Sequence, residues 1–152
     1  MNKESTHYRA VIQFRRYIFE ELSFFYRGYG DDEEETNTVG SIPTVFQVNI
    51  GMDREESSIF KGYIKLSCHV NEESMSQLPF SISAIMRGEF TIDPNISDEK
   101  AKKLLQINGV AVMFPFLRAS IANLTAAAGV DAMILPLFDI SKLAKDEEVE
   151  HP

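Results

Sequence analysis

The residue types that do chemistry are thinly spread through this chain. Its histidines are His7, His69 and His151, and two of them stand near the ends. His69 falls in an alternating segment on the same side as Lys65, where a solvated side chain is expected before a base or a ligand. The one cysteine, Cys68, alternates with Leu66 and Val70 and reads as a core residue. A lone cysteine makes neither an internal disulfide nor a multi-cysteine zinc site. Gly28 and Gly30 lack the strand–turn–helix setting and the later glycine or lysine of a phosphate loop. The acidic run 31–35 lacks the alternating ligands and the central glycine of a calcium loop. These observations predict no catalytic residue, no metal and no cofactor. They point to a protein that works by contact with other polypeptides and not as an enzyme.

Charge and composition narrow the partners. The formal net charge is −8, which repels phosphate backbones, so no nucleic acid is expected. Arg9, Arg15 and Arg16 are the few candidates for a local basic patch. The first apolar stretch contains Arg15 and Arg16, unlike a signal peptide. No run of about 18 apolar residues occurs, so no membrane insertion is expected. With cysteine so scarce, a reducing, cytoplasmic location is the expectation. The 152 residues fit one domain spanning 1–152.

The elements follow from periodicity. Four segments alternate as half-buried strands do. The first covers residues 6–20, with Ala10, Ile12, Phe14 and Ile18 on one side and Gln13, Arg15 and Tyr17 on the other. The second covers 44–52, with Phe46, Val48, Ile50 and Met52 inward. The third, 59–70, turns Ile64, Leu66, Cys68 and Val70 inward. The fourth, 80–92, does the same with Ile82, Ala84, Met86 and Phe90. Clean alternation is the mark of antiparallel pairing. The last three strands, within 44–92, should form a meander. A long crossover, 20–43, joins the first strand to the second.

The pattern changes after Pro94. Ser97 is a good N-cap, followed by Asp98 and Glu99 where the helix dipole favours acids. A short helix, 98–107, is expected to end at Asn108-Gly109. A longer one follows, with Pro115 in its first turn, and stops at Gly129. An apolar strap with Pro136 comes next, then a last short helix near Asp139 within a helical part running over 97–145. The tail, 146–152, is acidic. The fold class expected is α+β.

Two features could carry function. The crossover holds Phe24, Phe25, Tyr26 and Tyr29 ahead of the acidic run. Either these aromatics fold back on the core, or they form an apolar contact patch beside a charged rim; loops of this length are commonly functional or disordered. The long helix is the second. Met113, Leu117, Ile121 and Leu124 can pack on the sheet, while Ala119, Ala122 and Ala126 make a separate stripe of small residues. An ordinary surface helix is polar over about half its circumference. This one is not, so a subunit interface along the alanine stripe is expected.

Asn108-Gly-Val-Ala-Val-Met-Phe-Pro-Phe-Leu-Arg118 and the later stretch Gly129 to Asp139, with Leu135, Pro136 and Phe138, resemble the protein-export chaperone SecB family. Phe114, Pro115, Phe116 and Arg118 match its N-I-L-F-P-Y-A-R stretch. Gly88 and Phe90 match the end of its fourth strand, and Glu21-Leu-Ser-Phe24 is similar to its D-I-S-F. The resemblance implies a four-stranded antiparallel sheet with a long crossover, a short helix, a long helix and a C-terminal strap. It implies a homo-oligomer, a dimer or a dimer of dimers, that holds non-native polypeptides on apolar grooves and hands them to the motor SecA. On that resemblance Phe24, Phe25, Tyr26, Tyr29, Met133 and Phe138 would line the groove, and Glu21 would serve partner docking. Phe25, Ser81 and Ser83 depart from the family's docking residues. The alternative is therefore a divergent SecB-like interaction module for one specific protein partner, without translocase docking.

Overall fold

The computed structural model describes residues 10–28, 43–54, 59–71, 78–137 and 139. It contains strands β1 (Ile12–Tyr26), β2 (Thr44–Arg54), β3 (Phe60–Val70) and β4 (Phe80–Ile92). Helix α1 (Asp98–Leu104) and helix α2 (Val110–Ala128) follow. The strands form one antiparallel sheet in the order β1-β4-β3-β2. The α+β arrangement expected from the sequence is therefore present, with the meander β2–β3–β4 in unbroken register. β1 joins it on the far side of β4.

The sheet buries one face. Ile64, Leu66, Cys68 and Val70 of β3 and Ile82, Ala84 and Met86 of β4 are all 2% exposed or less. Their cross-strand partners on β2 are Phe46, Val48 and Ile50, which are half-buried because β2 is an edge. Against this face lies one helical rod. Ser97 caps it, its hydroxyl accepting from the Lys100 N–H at 3.3 Å. Leu105, Met113, Leu117 and Ile121 close onto the sheet and are fully buried. Each such side chain contributes about 1.5–3 kcal/mol relative to exposure. At its far end Gly129 takes φ 94, the left-handed conformation of a glycine cap.

The expected helix end at Asn108-Gly109 is not there. Leu105–Gly109 winds as a π-helical turn and leads straight into α2. Gly109 has φ −64, so it is not used as a left-handed cap. Its use is close approach. A Cβ at Gly109 would collide with Ile64 Cδ1, one at Gly62 would meet Leu105 Cδ1 at 2.8 Å, and one at Gly88 would meet Met113 Sδ at 2.5 Å. Three missing side chains thus let the rod settle onto the sheet. The expected last helix near Asp139 and the acidic tail lie outside the described residues.

β1 departs most from expectation. It begins at Ile12 and runs on to Tyr26, through the stretch expected to open the crossover. Its register with β4 shifts between Phe14 and Arg16 and again between Phe19 and Glu21. Each bulge adds a residue and reverses the alternation. Tyr17 consequently pairs with Gly88 on the helix side, not the outer side. Ile18, expected inward, pairs with Arg87 on the outer face and is 63% exposed.

Candidate apolar contact surfaces

Apolar surface left uncovered by its own chain is the feature that needs explaining. Among the described residues, twelve large apolar side chains are more than a third exposed. Single exposed apolar residues are ordinary, but eight of the twelve lie in three places.

The first is the end of the sheet where β1 finishes. Phe25 is 64% exposed and Tyr26 56%; Val45, 55% exposed, stands at the same end but on β2, the opposite edge of the sheet. The bulges decide which way each aromatic turns. Phe24 and Tyr26 pair with Ile82 and Phe80 on the helix side, and Phe24 stacks on Phe80 with centroids 5.0 Å apart. Phe25 pairs with Ser81 and points to the opposite face. The aromatics expected to form one patch are therefore divided between the two faces. Phe24 belongs to the margin of the core, and Tyr29 lies outside the described residues.

The second place joins β1 to α2. Tyr17 and Phe116 approach to 4.9 Å between centroids, and Phe14 touches both. Tyr17 and Phe116 are about two-fifths exposed. On α2, Val112, Phe116, Ala119 and Ala126 continue this as an exposed stripe, while Ala122 is half-buried. Only 33% of the helix's most apolar 18-residue stretch is buried. Sequence reasoning named the alanines but not Tyr17 or Phe14. The Tyr17–Phe116 contact depends on the first bulge, which alternation alone does not reveal.

The third is the strap after Gly129. Leu135 is fully buried as a plug, flanked by Ile134 and Leu137 at 63% and 80% exposure. Hydrogen bonds hold the strap to α2. Arg118 donates Nε–H to the Leu135 carbonyl at 2.9 Å, and Met133 donates its N–H to Thr125 Oγ1 at 2.8 Å. Met133 is half-buried against the core. Phe138 lies outside the described residues.

The outer sheet face is largely polar, with Ile18 and Phe25 exposed on it. Glu21 is exposed there and accepts from the Ser23 hydroxyl at 3.3 Å. Arg16 forks onto Glu89 at 2.6 and 3.1 Å. That hydrogen bond holds the Glu89 carboxyl below its ordinary range and raises the Arg16 guanidinium. Lys65 pairs with Glu20 at 3.0 Å, and His69 Nδ1 lies 3.0 Å from Ser83 Oγ. Burial pushes the Cys68 thiol up to about 12, which suits a core residue and not a nucleophile. A cleft of about 470 Å³ at the opposite end of the sheet is lined by Gln13, Arg15, Thr91 and Asp93 among others, away from Phe25 and Tyr26.

Comparison with known proteins accords with this architecture. The family model for the preprotein translocase subunit SecB matches residues 34–150. An uncharacterised protein of Methanocaldococcus jannaschii is 26% identical over 143 residues, 93% of this chain and 88% of that protein. The protein-export protein SecB of Anaplasma phagocytophilum is 30% identical over 100 residues, 64% of this chain and 63% of that protein. Among solved structures, a SecB-like chaperone of Mycobacterium tuberculosis, in complex with a ChAD peptide from the antitoxin HigA1, superposes with a TM-score of 0.58. It covers 84% of this chain and 91% of its own at 14% identity. A protein of unknown function from Streptococcus agalactiae gives 0.52 at 14% identity over 83% of this chain and 97% of its own. With the family model spanning well over half its length, the chain belongs to the SecB family.

Proposed function

We propose that this chain is a holdase: it binds non-native polypeptides on exposed apolar surface, without catalysis, and it works as a homo-oligomer joined along α2. The observation that carries the reading is the uncovered apolar surface at the end of β1 and on the strap. Phe25, Tyr26 and Leu137 are each more than half exposed, Phe25 on one face of the sheet and Tyr26 on the other, and large apolar side chains left this open are available to a partner. Promiscuous binders use side chains that can re-pack against many sequences. The stripe Val112, Phe116, Ala119, Ala126 is the surface proposed for self-association, since its small residues permit close approach of a second helix.

A second reading is a SecB-like module for one specific partner, without docking to SecA. The outer sheet face favours it. Ile85 pairs with Glu21 there, Ser83 and Arg87 flank it on β4, and the neighbouring Glu20 is bound to Lys65, so the negative charge beside Glu21 is largely compensated.

Suppression of aggregation tests the first reading. Micromolar chain should keep a reduced, unfolded substrate in solution. The combined change Phe25→Ser, Tyr26→Ser and Leu137→Ser should remove most of that effect while leaving the core, including Phe24, intact. No suppression by the parent chain at several-fold excess would end the holdase reading. Capture of one dominant partner, unaffected by denatured competitor, would favour the second.

A further inference from the structure

We propose that β2 receives a segment of non-native polypeptide as an added fifth strand, along its outer edge over residues 48–52. The inference rests on the holdase reading and adds to it the mode of binding.

The two edges of the sheet are unlike. β1 carries two bulges, and the charged residues Arg15, Arg16, Glu20 and Glu21 stand at them. Bulges and charges are the devices by which natural sheets keep further strands from adding. β2 has neither. Its eleven residues pair with β3 in continuous register. Between Thr44 and Met52 the sequence contains no charged residue and no proline. Among the described residues no strand other than β3 pairs with β2. Such an edge presents a row of N–H and C=O groups that an extended peptide satisfies with its own backbone.

The side chains along the edge define what fits. Val48, Ile50 and Met52 turn to the helix side and are only half-buried. Asn49 and Gly51 turn to the outer side. An added strand therefore sets every second residue beside Val48, Ile50 and Met52, and the residues between beside Asn49 and Gly51. The best occupant has apolar residues at alternate positions. Gly51 leaves outer-side space, since a Cβ there would have Tyr63 Cβ at 4.0 Å as its neighbour. Charge selects between occupants. With no charged residue between Thr44 and Met52 the edge suits an uncharged, apolar segment, and the chain's net −8 favours a basic segment over an acidic one.

The probe is a fluorescein-labelled decapeptide alternating valine and threonine, ended by two lysines. Two further versions carry backbone N-methyl groups, one on the valines and one on the threonines. In an added strand only one edge of the peptide faces β2. Methylation of one set should weaken binding at least about tenfold, the loss of two or more hydrogen bonds, and of the other less than about twofold. On the protein side, Val48→Pro and Asn49→Pro are made separately. Neighbouring N–H groups point to opposite sides of a strand, so one proline breaks the β3 ladder and the other only the outer edge. The variant that keeps the parent's circular dichroism and melting profile should lose the peptide.

Equal binding of both methylated peptides overturns strand addition and leaves the holdase reading standing. So does an aggregation-suppressing parent that fails to bind the unmethylated peptide. A well-folded edge variant that dissociates an oligomer, yet binds peptide as before, assigns the edge to a second copy and also overturns the proposal. A parent that suppresses no aggregation ends the holdase reading, and strand addition falls with it as a description of client binding.

Discussion

Gly88→Ala tests whether the helical rod is seated where glycines make room for it. The added Cβ would lie 2.5 Å from Met113 Sδ, 2.9 Å from its Cε and 3.3 Å from its Cγ. Favourable contacts between heavy atoms fall near 3.5–4.0 Å. Met113 must therefore move by roughly an ångström, and at 0% exposure it has no empty direction to take. Overpacking of this kind costs about 1–3 kcal/mol. Relief of glycine's conformational freedom in a strand offsets about 0.5–1 kcal/mol. The clash wins, by about 1 kcal/mol, and the melting temperature should fall by about 2–4 °C for a chain of this size.

A partner substitution makes the test specific. Met113→Ala alone should cost about 2–5 kcal/mol through the cavity it leaves. In the double variant the new methyl occupies part of that cavity. The combined loss should then be smaller than the sum by about 1 kcal/mol or more. Urea unfolding followed by far-ultraviolet circular dichroism suits a chain without tryptophan. Chain concentration must be held constant, because association shifts the midpoint. A Gly88→Ala chain as stable as the parent, or strictly additive losses, would refute the seating described here.

Other expectations follow from single contacts. Thr125→Val keeps the shape of a fully buried side chain but leaves the Met133 N–H without its acceptor; a cost of about 1–3 kcal/mol and faster proteolysis between Gly129 and Leu137 are expected, measured by urea unfolding and timed digestion. The buried, strongly protonated Cys68 thiol should resist Ellman's reagent at pH 8 and react only as fast as the chain unfolds; rapid labelling of the native chain would contradict its placement. Glu89, depressed from 4.5 by Arg16, should add a small stabilisation that is present above that value and lost as pH falls through the folded one. Because the pair is exposed, the gap between parent and Glu89→Gln melting curves should be slight at pH 7, shrink as the pH is lowered and be erased by 1 M salt, about a 3 Å screening length.

Where a hydrophobic row ran unbroken, the sequence was readable. Phe46, Val48, Ile50 and Met52 alternate without interruption, as do Leu66, Cys68 and Val70, and all lie on the face expected. Ser97 and Gly129 end the helical rod as their types suggest. The motif Phe114-Pro-Phe-Leu-Arg118 carried the family. β1 was misread because a bulge has no composition of its own. Arg15 looks like an ordinary outward residue and Glu20 like the strand's end, yet each inserts an extra step and reverses every side chain beyond it. Gly109 was misread for a different reason. A glycine after a helical run serves equally as a left-handed cap or as a flat spot for a neighbour, and only Ile64 and Phe90, distant in sequence, decide between them.

The same bulges bear on how two kinds of apolar surface could coexist on one small chain. Tyr17 and Phe116 pack tilted against one another and both meet Phe14, so their rotamers are already held by their own chain. A surface fixed before contact loses little entropy when a partner arrives, and it favours one geometry over others. That suits self-association in a single arrangement. Phe25 and Leu137 are 64% and 80% exposed. Their rotamers remain to be fixed at the moment of binding, at a cost of about 0.5–1.5 kcal/mol each. Such a surface binds any one segment less tightly and adapts to more of them, which is what a holdase requires. Under the proposed function, then, substitutions at Tyr17 or Phe116 should change oligomeric mass in light scattering first. Substitutions at Phe25 or Leu137 should change client binding at constant mass. If the two sets of effects exchange places, the assignment of the surfaces is inverted even if the chain is a chaperone.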